Sequence, residues 1–258
     1  MATFILVHGA WHGAWCWERL IPLIDDRGHD VLAPDLPGMG YDTTPLEQVS
    51  IESWADFVAD LVLARAEPVI LVGHSRAGIV ISRAAEKAHR NLLGLVCLAA
   101  FMVRNGETLE QVMRQIPPRA ESADSLVISA DGRFSTIAPA AVGRVFYNTT
   151  VPDLVRRAAA LSGPEPLASF TTPLEVSEER WGSIPRFYIE CEQDRAIAPE
   201  LQRRMQAALP CRRSIRMNCD HSPFYSAPEE LARHLLAIAD ELEGGAERIL
   251  SLEAGAEG

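Results

Sequence analysis

A short turn between an apolar run and a helical pattern constrains this chain most. Residues 68–72 predict a buried strand, and residues 76–88 have the apolar spacing of a helix. The turn between them reads GHSRA over residues 73–77, with small residues two positions before and two positions after Ser75. A sharp strand-to-helix turn needs little bulk there, and it lifts the hydroxyl to the N-terminus of the helix. The pattern predicts Ser75 as a nucleophile, although such strings also occur as chance turns.

Strand-like and helix-like segments alternate on both sides of this turn. The predicted strands are residues 4–7, 30–33, 68–72, 92–101, 186–191 and 214–217. The predicted helices are residues 14–27, 51–66, 76–88, 199–208 and 228–242. Such alternation indicates an α/β fold, with a mostly parallel sheet and helices on both of its faces. A length of 258 residues suits one such domain with an insertion.

The alternation stops in the middle of the chain. From residue 103 to residue 182, Pro, Ser and Thr are frequent and strong strand signals are absent. We therefore predict a core built from residues 1–102 and 183–243, with residues 103–182 inserted between two of its strands. Residues 244–258 are small, polar and acidic, and they predict a flexible tail.

Two further residues follow late strands and complete a candidate catalytic set. Asp194 lies just past the fifth predicted strand, at the sheet edge where ligands bind in open α/β folds. Glu192 competes for its role, but Asp194 falls clear of the strand. His221 follows the last strand, and Asp220 is poorly placed to partner it because adjacent side chains on an extended chain diverge. The order Ser75, Asp194, His221 is the one expected when the nucleophile lies on such a turn.

A histidine-glycine turn follows the first strand, in the sequence HGAW of residues 8–11. At this place it can bring a backbone N–H group over the nucleophile, and the residue after the nucleophile supplies another. We therefore predict an oxyanion hole made by the amides of Ala10 and Arg76. The alternative is an ordinary glycine turn, and His8 itself is expected to be structural.

Composition excludes several other classes of protein. The net charge of −11 would repel nucleic acid. The five cysteines are odd in number and form no CxxC pair, so we expect neither a disulfide framework nor a metal site. Neither a signal peptide nor an apolar run of the ~20 residues needed to cross a bilayer is evident. We therefore expect a cytoplasmic protein without membrane partners.

Five stretches of the chain carry a family pattern: residues 4–17 (FILVHGAWHGAWCW), 31–40 (VLAPDLPGMG), 69–78 (VILVGHSRAG), 188–202 (YIECEQDRAIAPELQ) and 220–231 (DHSPFYSAPEEL). Together they resemble the plant methylesterase and hydroxynitrile lyase branch of the α/β-hydrolases and its bacterial esterase relatives. The resemblance implies the α/β-hydrolase fold, a helical lid formed by residues 103–182 over an apolar pocket, and no cofactor. Dimers are common in families of this kind, so a homodimer is a further expectation.

The resemblance also bears on the reaction. Lyases of this branch tend to carry threonine directly after the first-strand histidine and lysine directly after the catalytic histidine. This sequence has Gly9 and Ser222 there, which favours an esterase. Ser222 also departs from the methionine common in plant esterases. The residues expected to contact substrate are Gly9, Trp11, Phe146, Tyr147 and Ser222.

The sequence thus predicts a serine carboxylesterase. Ser75 would form an acyl-enzyme from a small, mainly apolar ester, with His221 as general base and Asp194 orienting the histidine. Two alternatives stay open at this point. One is a C–C lyase that acts on cyanohydrins, and the other is a non-catalytic protein of the same fold that binds a small ligand.

Overall fold

Strands and helices alternate along the chain in the computed structural model, which describes residues 1–117, 120–122 and 124–256, with residues 121 and 245–256 described by their backbone alone. The strands are β1 (Thr3–Val7), β2 (Asp30–Leu32), β3 (Val69–His74), β4 (Leu92–Leu98), β5 (Leu126–Ile128), β6 (Phe134–Ile137), β7 (Glu165–Pro166), β8 (Arg186–Cys191) and β9 (Arg213–Met217). The helices are α1 (Ile21–Asp25), α2 (Ile51–Leu63), α3 (Ala77–Ala88), α4 (Leu109–Met113), α5 (Pro139–Val145), α6 (Pro152–Leu161), α7 (Ala168–Thr171), α8 (Pro199–Ala208), α9 (Pro223–Ser226) and α10 (Pro228–Ala256).

Six parallel strands form the central sheet, in the order β2-β1-β3-β4-β8-β9. Strands β1 and β3 are buried along their whole length because helices cover both faces of the sheet. Apolar residues of α2, α3 and α8 form the core on one face, and those of α9 and α10 form the core on the other. This arrangement confirms the predicted parallel sheet with helices on both faces.

The insertion between β4 and β8 contains both helices and strands. Helices α4 to α7 lie in it, and β5, β6 and β7 form a separate antiparallel sheet of their own. The lid predicted for residues 103–182 is therefore not purely helical. Its strands are only two to four residues long. Segments of that length are too short to show the alternating pattern from which strands are predicted.

One predicted strand and one predicted helix differ from the structure for clear physical reasons. The strand predicted over residues 92–101 ends at Leu98, because Ala99 takes a positive φ of 41° and turns the chain under the serine turn. The helix predicted over residues 14–27 is divided into a 3₁₀ turn at Ala14–Trp17 and the short helix α1, with proline in the first turn of α1. Proline there removes a backbone donor that a continuous helix needs.

The C-terminal segment of the chain continues as helix. Helix α10 runs to Ala256, so the backbone of most of the tail predicted over residues 244–258 is helical. Residues 257 and 258 lie outside the described residues, and the flexibility of the tail stays a prediction. Among the described residues, no helix is both long and apolar enough to cross a membrane.

Helix α3 lies so close to the chain after β4 that one of its residues must be glycine. A Cβ atom built on Gly78 would lie 2.0 Å from the carbonyl oxygen of Phe101. Neither backbone can move away easily, because the Phe101 N–H donates a hydrogen bond to Ser75 O at 3.0 Å. The contact therefore fixes how α3 leaves the sheet.

We expect Gly78→Ala to lower the free energy of unfolding by about 1–3 kcal/mol through overpacking. Gly244→Ala is the matched control, because it lies in α10 and a Cβ there would meet nothing within 4 Å. Helix propensity alone should make both variants more stable, by about 1 kcal/mol. Urea unfolding of the two variants would check this, and stabilisation by both would contradict the close contact.

Candidate active site

The serine turn lies at the carboxyl edge of the sheet, between the end of β3 and the start of α3. Ser75 has a φ of 56°, in the left-handed region that costs a residue with a Cβ about 1–2 kcal/mol. Hydrogen bonds hold it there: its N–H donates to Leu98 O at 3.2 Å, and its carbonyl accepts from Gly78 N at 3.1 Å and Phe101 N at 3.0 Å. The surrounding packing thus maintains a strained serine at the end of a central strand.

The loops after the last two strands of the central sheet bring an acid and a histidine together. Asp194 follows β8 and His221 follows β9, and the Nδ1 atom of His221 lies 2.7 Å from Asp194 Oδ2. The other carboxylate oxygen accepts hydrogen bonds from the N–H groups of Ala196 at 2.7 Å and Ile197 at 2.8 Å. Gln202 Nε2 donates to Oδ2 at 3.0 Å. The carboxylate is therefore fixed on every side and holds the imidazole in one orientation.

The other acidic residues of these loops have different surroundings. Glu192 is exposed. Asp220 is buried, and its carboxylate accepts hydrogen bonds from Thr149 N at 2.8 Å, Thr150 Oγ1 at 2.9 Å and Ser222 N at 3.1 Å. Asp220 therefore anchors a segment of the lid to the histidine loop.

His221 lies against the serine turn. His74, the residue directly before Ser75, donates from Nε2 to His221 O at 2.8 Å, and the two imidazole rings are 4.6 Å apart. The Nε2 atom of His221 is buried and has no hydrogen-bond partner among the described residues. A ring nitrogen with this environment, beside the serine turn, is available to accept a proton.

Two other histidines organise the chain after β1. His8 donates from Nδ1 to Gly9 O at 2.9 Å, and burial lowers its pKa to about 3. His12 donates from Nδ1 to Ala10 O at 2.7 Å, its Nε2 accepts from Tyr147 at 2.7 Å, and burial lowers its pKa to about 4. Both imidazoles are thus neutral and fix successive carbonyl groups of the turn. Within the described residues, no group of three or more His, Cys, Asp or Glu side chains is arranged to hold a metal.

The two predicted oxyanion donors lie at the same cavity as Ser75. Ala10 and Arg76 both line it, and the N–H group of neither donates to another described residue. Trp11, the residue after Ala10, has a positive φ of 62°. Both amides are therefore free among the described residues and lie at the cavity that Ser75 also lines, and the oxyanion hole stays a prediction.

The cavity measures about 650 Å³ and lies between the sheet edge and the lid. Ser75, Ala10, Trp11 and Arg76 are among the residues that line it. Its walls are mostly apolar and aromatic and include Phe101, Ile137, Val145, Phe146 and Phe170. The lid supplies most of these walls, so the shape of the cavity depends on how the lid packs.

Of the five residues expected to contact substrate, Trp11 and Phe146 line this cavity, whereas Gly9, Tyr147 and Ser222 are not among its lining residues. Gly9 is packed beneath the serine, where a Cβ would lie 2.9 Å from Ser75 Cβ. The Tyr147 hydroxyl donates a hydrogen bond to His12 Nε2, and the ring is buried. Ser222 is fully buried and donates its N–H to Asp220.

A buried ion pair beside the cavity was not predicted from the sequence. Arg76 is fully buried and forms an ion pair with Glu165 of β7, with Nε 2.9 Å from Oε1. Burial lowers the pKa of Arg76, and the neighbouring Glu165 carboxylate opposes that effect. The two residues are 89 positions apart and share no local motif, so no sequence signal could have paired them.

Comparison with known proteins identifies the family. The model of the alpha/beta hydrolase family matches residues 4–234. The chain belongs to the alpha/beta hydrolase family. This membership confirms the fold predicted from the serine turn and the strand alternation.

Relatives within the alpha/beta hydrolase family include plant esterases. Methylesterase 2 of Arabidopsis thaliana is 34% identical, over 92% of this chain and 95% of its own length. Putative methylesterase 15, chloroplastic, of the same plant is 33% identical over 92% of this chain, but the chain spans only 56% of that relative. Among solved structures, a pyrethroid hydrolase from Sphingobium faniae JZ-2 is 29% identical with a TM-score of 0.83, and the match covers 95% of this chain and 99% of that one.

We expect Ser75→Gly to be more stable than Ser75→Ala by about 1 kcal/mol. Both variants lack the hydroxyl, but glycine adopts a positive φ without a steric cost. Ser82, in the middle of α3, is the matched control, because glycine in a helix interior is less stable than alanine by about 1 kcal/mol. Thermal unfolding of the four variants should show opposite orders at the two positions. The same order at both would mean that the serine turn is unstrained.

Acid should destabilise the fold through its buried neutral histidines. The folded pKa of His12 is about 4, against about 6.5 in the unfolded chain, so the unfolded state binds the proton first as pH falls. The stability that this group contributes is complete above pH ~6.5 and falls by about 1.4 kcal/mol per pH unit down to pH ~4.

The check is the free energy of unfolding measured between pH 7 and pH 4. We expect His12→Gln to reduce the slope of the free energy of unfolding against pH by about 1.4 kcal/mol per pH unit. Equal slopes in the wild-type protein and the variant would contradict a neutral His12.

Proposed function

We propose that this protein is a carboxylic ester hydrolase that acts through Ser75, His221 and Asp194. One observation carries the proposal: a histidine bound to a buried carboxylate at 2.7 Å packs against the turn that presents a strained serine to a cavity. The esterases and hydrolases among its relatives support the same reaction class.

The first half of the reaction acylates the serine. Ser75 Oγ attacks the ester carbonyl while His221 Nε2 takes its proton, and Asp194 stabilises the imidazolium that forms. The negative oxygen of the tetrahedral intermediate accepts hydrogen bonds from the N–H groups of Ala10 and Arg76. Each such donor lowers the barrier by about 3 kcal/mol. The C–O bond then breaks, and His221 returns the proton to the leaving alcohol.

The second half releases the acid. Water enters beside the acyl-enzyme, His221 accepts its proton, and the resulting hydroxide attacks the acyl carbon. The same two N–H groups hold the second intermediate. When the bond to Ser75 Oγ breaks, His221 gives the proton back to the serine, and the enzyme is restored.

The cavity favours small, mainly apolar esters. Its volume falls within the roughly 300–1,000 Å³ typical of small-molecule sites, and aromatic and aliphatic side chains form its walls. The similarity of the chain to a methylesterase and to a pyrethroid hydrolase supports an ester substrate. We therefore assign small, mainly apolar esters as the substrate class.

The structure around Gly9 disfavours the lyase alternative. A Cβ at this position would lie 2.9 Å from both Ser75 Cβ and His74 Nδ1, so the threonine characteristic of the lyases would not fit without movement of the serine turn. Ser222, where lyases tend to have lysine, is fully buried. The ligand-binding alternative is disfavoured because proteins of that kind typically lose one member of the catalytic set, and this chain retains all three. A cytoplasmic location and a homodimer stay predictions from the sequence.

Hydrolysis of a panel of aryl and methyl esters tests the proposal. We expect turnover by the wild-type protein and a fall to background in Ser75→Ala, since without the hydroxyl no acyl-enzyme can form. Ser82→Ala should retain activity, because that buried hydroxyl on α3 donates to Gly78 O within its own helix, at 2.8 Å. Circular dichroism would verify that both variants are folded.

Two outcomes would contradict the proposal. Undiminished activity in Ser75→Ala would remove the serine from the mechanism. Turnover of mandelonitrile, with no ester cleaved, would establish the lyase reaction instead.

A further inference from the structure

A buried carboxylate of the lid reaches the loops that form the oxyanion hole. Glu165 of β7 is fully buried and pairs with the Arg76 guanidinium, with Nε 2.9 Å from Oε1 and Nη2 3.3 Å from Oε2. Ser169 Oγ also donates to Oε1, at 2.7 Å. The Trp54 ring lies 4.2 Å from the guanidinium carbon. The arginine side chain is therefore held between the lid and α2, and Glu165 supplies its counter-charge.

The same arginine side chain contacts the peptide that carries one oxyanion donor. Its Nη2 donates to Gly9 O at 3.4 Å, and His8 Nδ1 donates to the same oxygen at 2.9 Å. A trans peptide is planar, with its C=O and N–H groups pointing in opposite directions. Fixing Gly9 O therefore fixes the direction of the Ala10 N–H.

Glu165 also holds the next peptide along the chain. Trp11 N donates to its Oε2 at 3.4 Å, while the Trp11 carbonyl accepts from Gly163 N at 3.0 Å and its indole donates to Ser135 Oγ at 3.1 Å. All three partners belong to the lid. Because Trp11 has a left-handed φ of 62°, it needs such contacts to keep its conformation.

We propose that Glu165 is a positioning residue for the oxyanion hole: through the Arg76 side chain and the Trp11 amide it sets the Ala10 N–H in the direction that stabilises the tetrahedral intermediate. This role rests on the proposed serine hydrolysis. It makes the lid sheet a structural part of the catalytic apparatus, because the cavity cover and the oxyanion loop share one carboxylate.

The test compares Glu165→Gln with the wild-type protein in ester hydrolysis and in phosphonylation by an alkyl fluorophosphonate. In the second reaction Ser75 Oγ bonds to phosphorus, the P–F bond breaks, fluoride leaves, and the serine proton passes to His221. We expect kcat and the labelling rate to fall by about 100-fold, the loss typical of one oxyanion donor. KM should change by less than about twofold, because these donors act mainly in the transition state.

A double variant distinguishes loss of the positioning role from simple unfolding. Glu165→Gln leaves Arg76 buried without its counter-charge, which can destabilise the fold, whereas Arg76→Met with Glu165→Met replaces the whole pair by apolar side chains and is better tolerated. The double variant should remain folded and show the same loss of kcat and labelling rate, since Gly9 O keeps only the hydrogen bond from His8 and the Trp11 N–H loses Glu165. Glu190→Gln, which removes another buried carboxylate paired with an arginine, should label and turn over at the wild-type rate.

The outcomes separate this role from the proposed function. Labelling and kcat at the wild-type level in the folded double variant would overturn the role of Glu165 alone. A wild-type protein that neither hydrolyses any ester nor reacts with the fluorophosphonate would overturn the serine mechanism and, with it, this role. Slow labelling confined to the two Glu165 variants would support the role even before a good ester is found.

Discussion

The left-handed backbone at Ser75 is the constraint on which the rest of this structure depends. A serine there is strained, and the strain persists only because its N–H and carbonyl are bonded to the ends of neighbouring segments. Those bonds require α3 to approach the chain after β4 so closely that Gly78 has no room for a Cβ. They also require β4 to end at Leu98, which frees the following residues to pass under the turn. The order of the parallel strands then brings the loops after β8 and β9 to the same edge.

The lid is joined to this edge by polar contacts as well as by apolar packing. Asp220 binds Thr149 and Thr150 next to the histidine, and Glu165 binds Arg76 next to the serine. Burying such charged groups costs free energy unless every partner is in place. Removal of the lid from the core would therefore expose the cavity and also leave the two loops of the active site without their supports. Opening of the lid as a rigid flap would therefore cost this protein free energy.

Local patterns in the sequence were sufficient to predict the longer strands and helices of the fold. The apolar runs of β1 and β3 and the helical spacing of α3 are each encoded within a few neighbouring positions. The strands of the lid were missed because they are too short to show a period. The Arg76–Glu165 pair was missed because it joins distant segments, and Tyr147 was misplaced because composition cannot show whether an aromatic ring faces a cavity or a neighbouring histidine.

The number of histidines around the serine turn raises the question of which one can carry the proton. His8, His12 and His74 are all buried, and burial lowers the pKa of each. Their ring N–H groups donate to backbone carbonyls, which fix orientation but supply no negative charge. His221 differs in having the carboxylate of Asp194 at 2.7 Å. In the proposed mechanism this carboxylate, beside a site that already holds the Arg76 cation, makes His221 the histidine best placed to take the proton from the serine. The neutral histidines then serve to hold the loops in place around it.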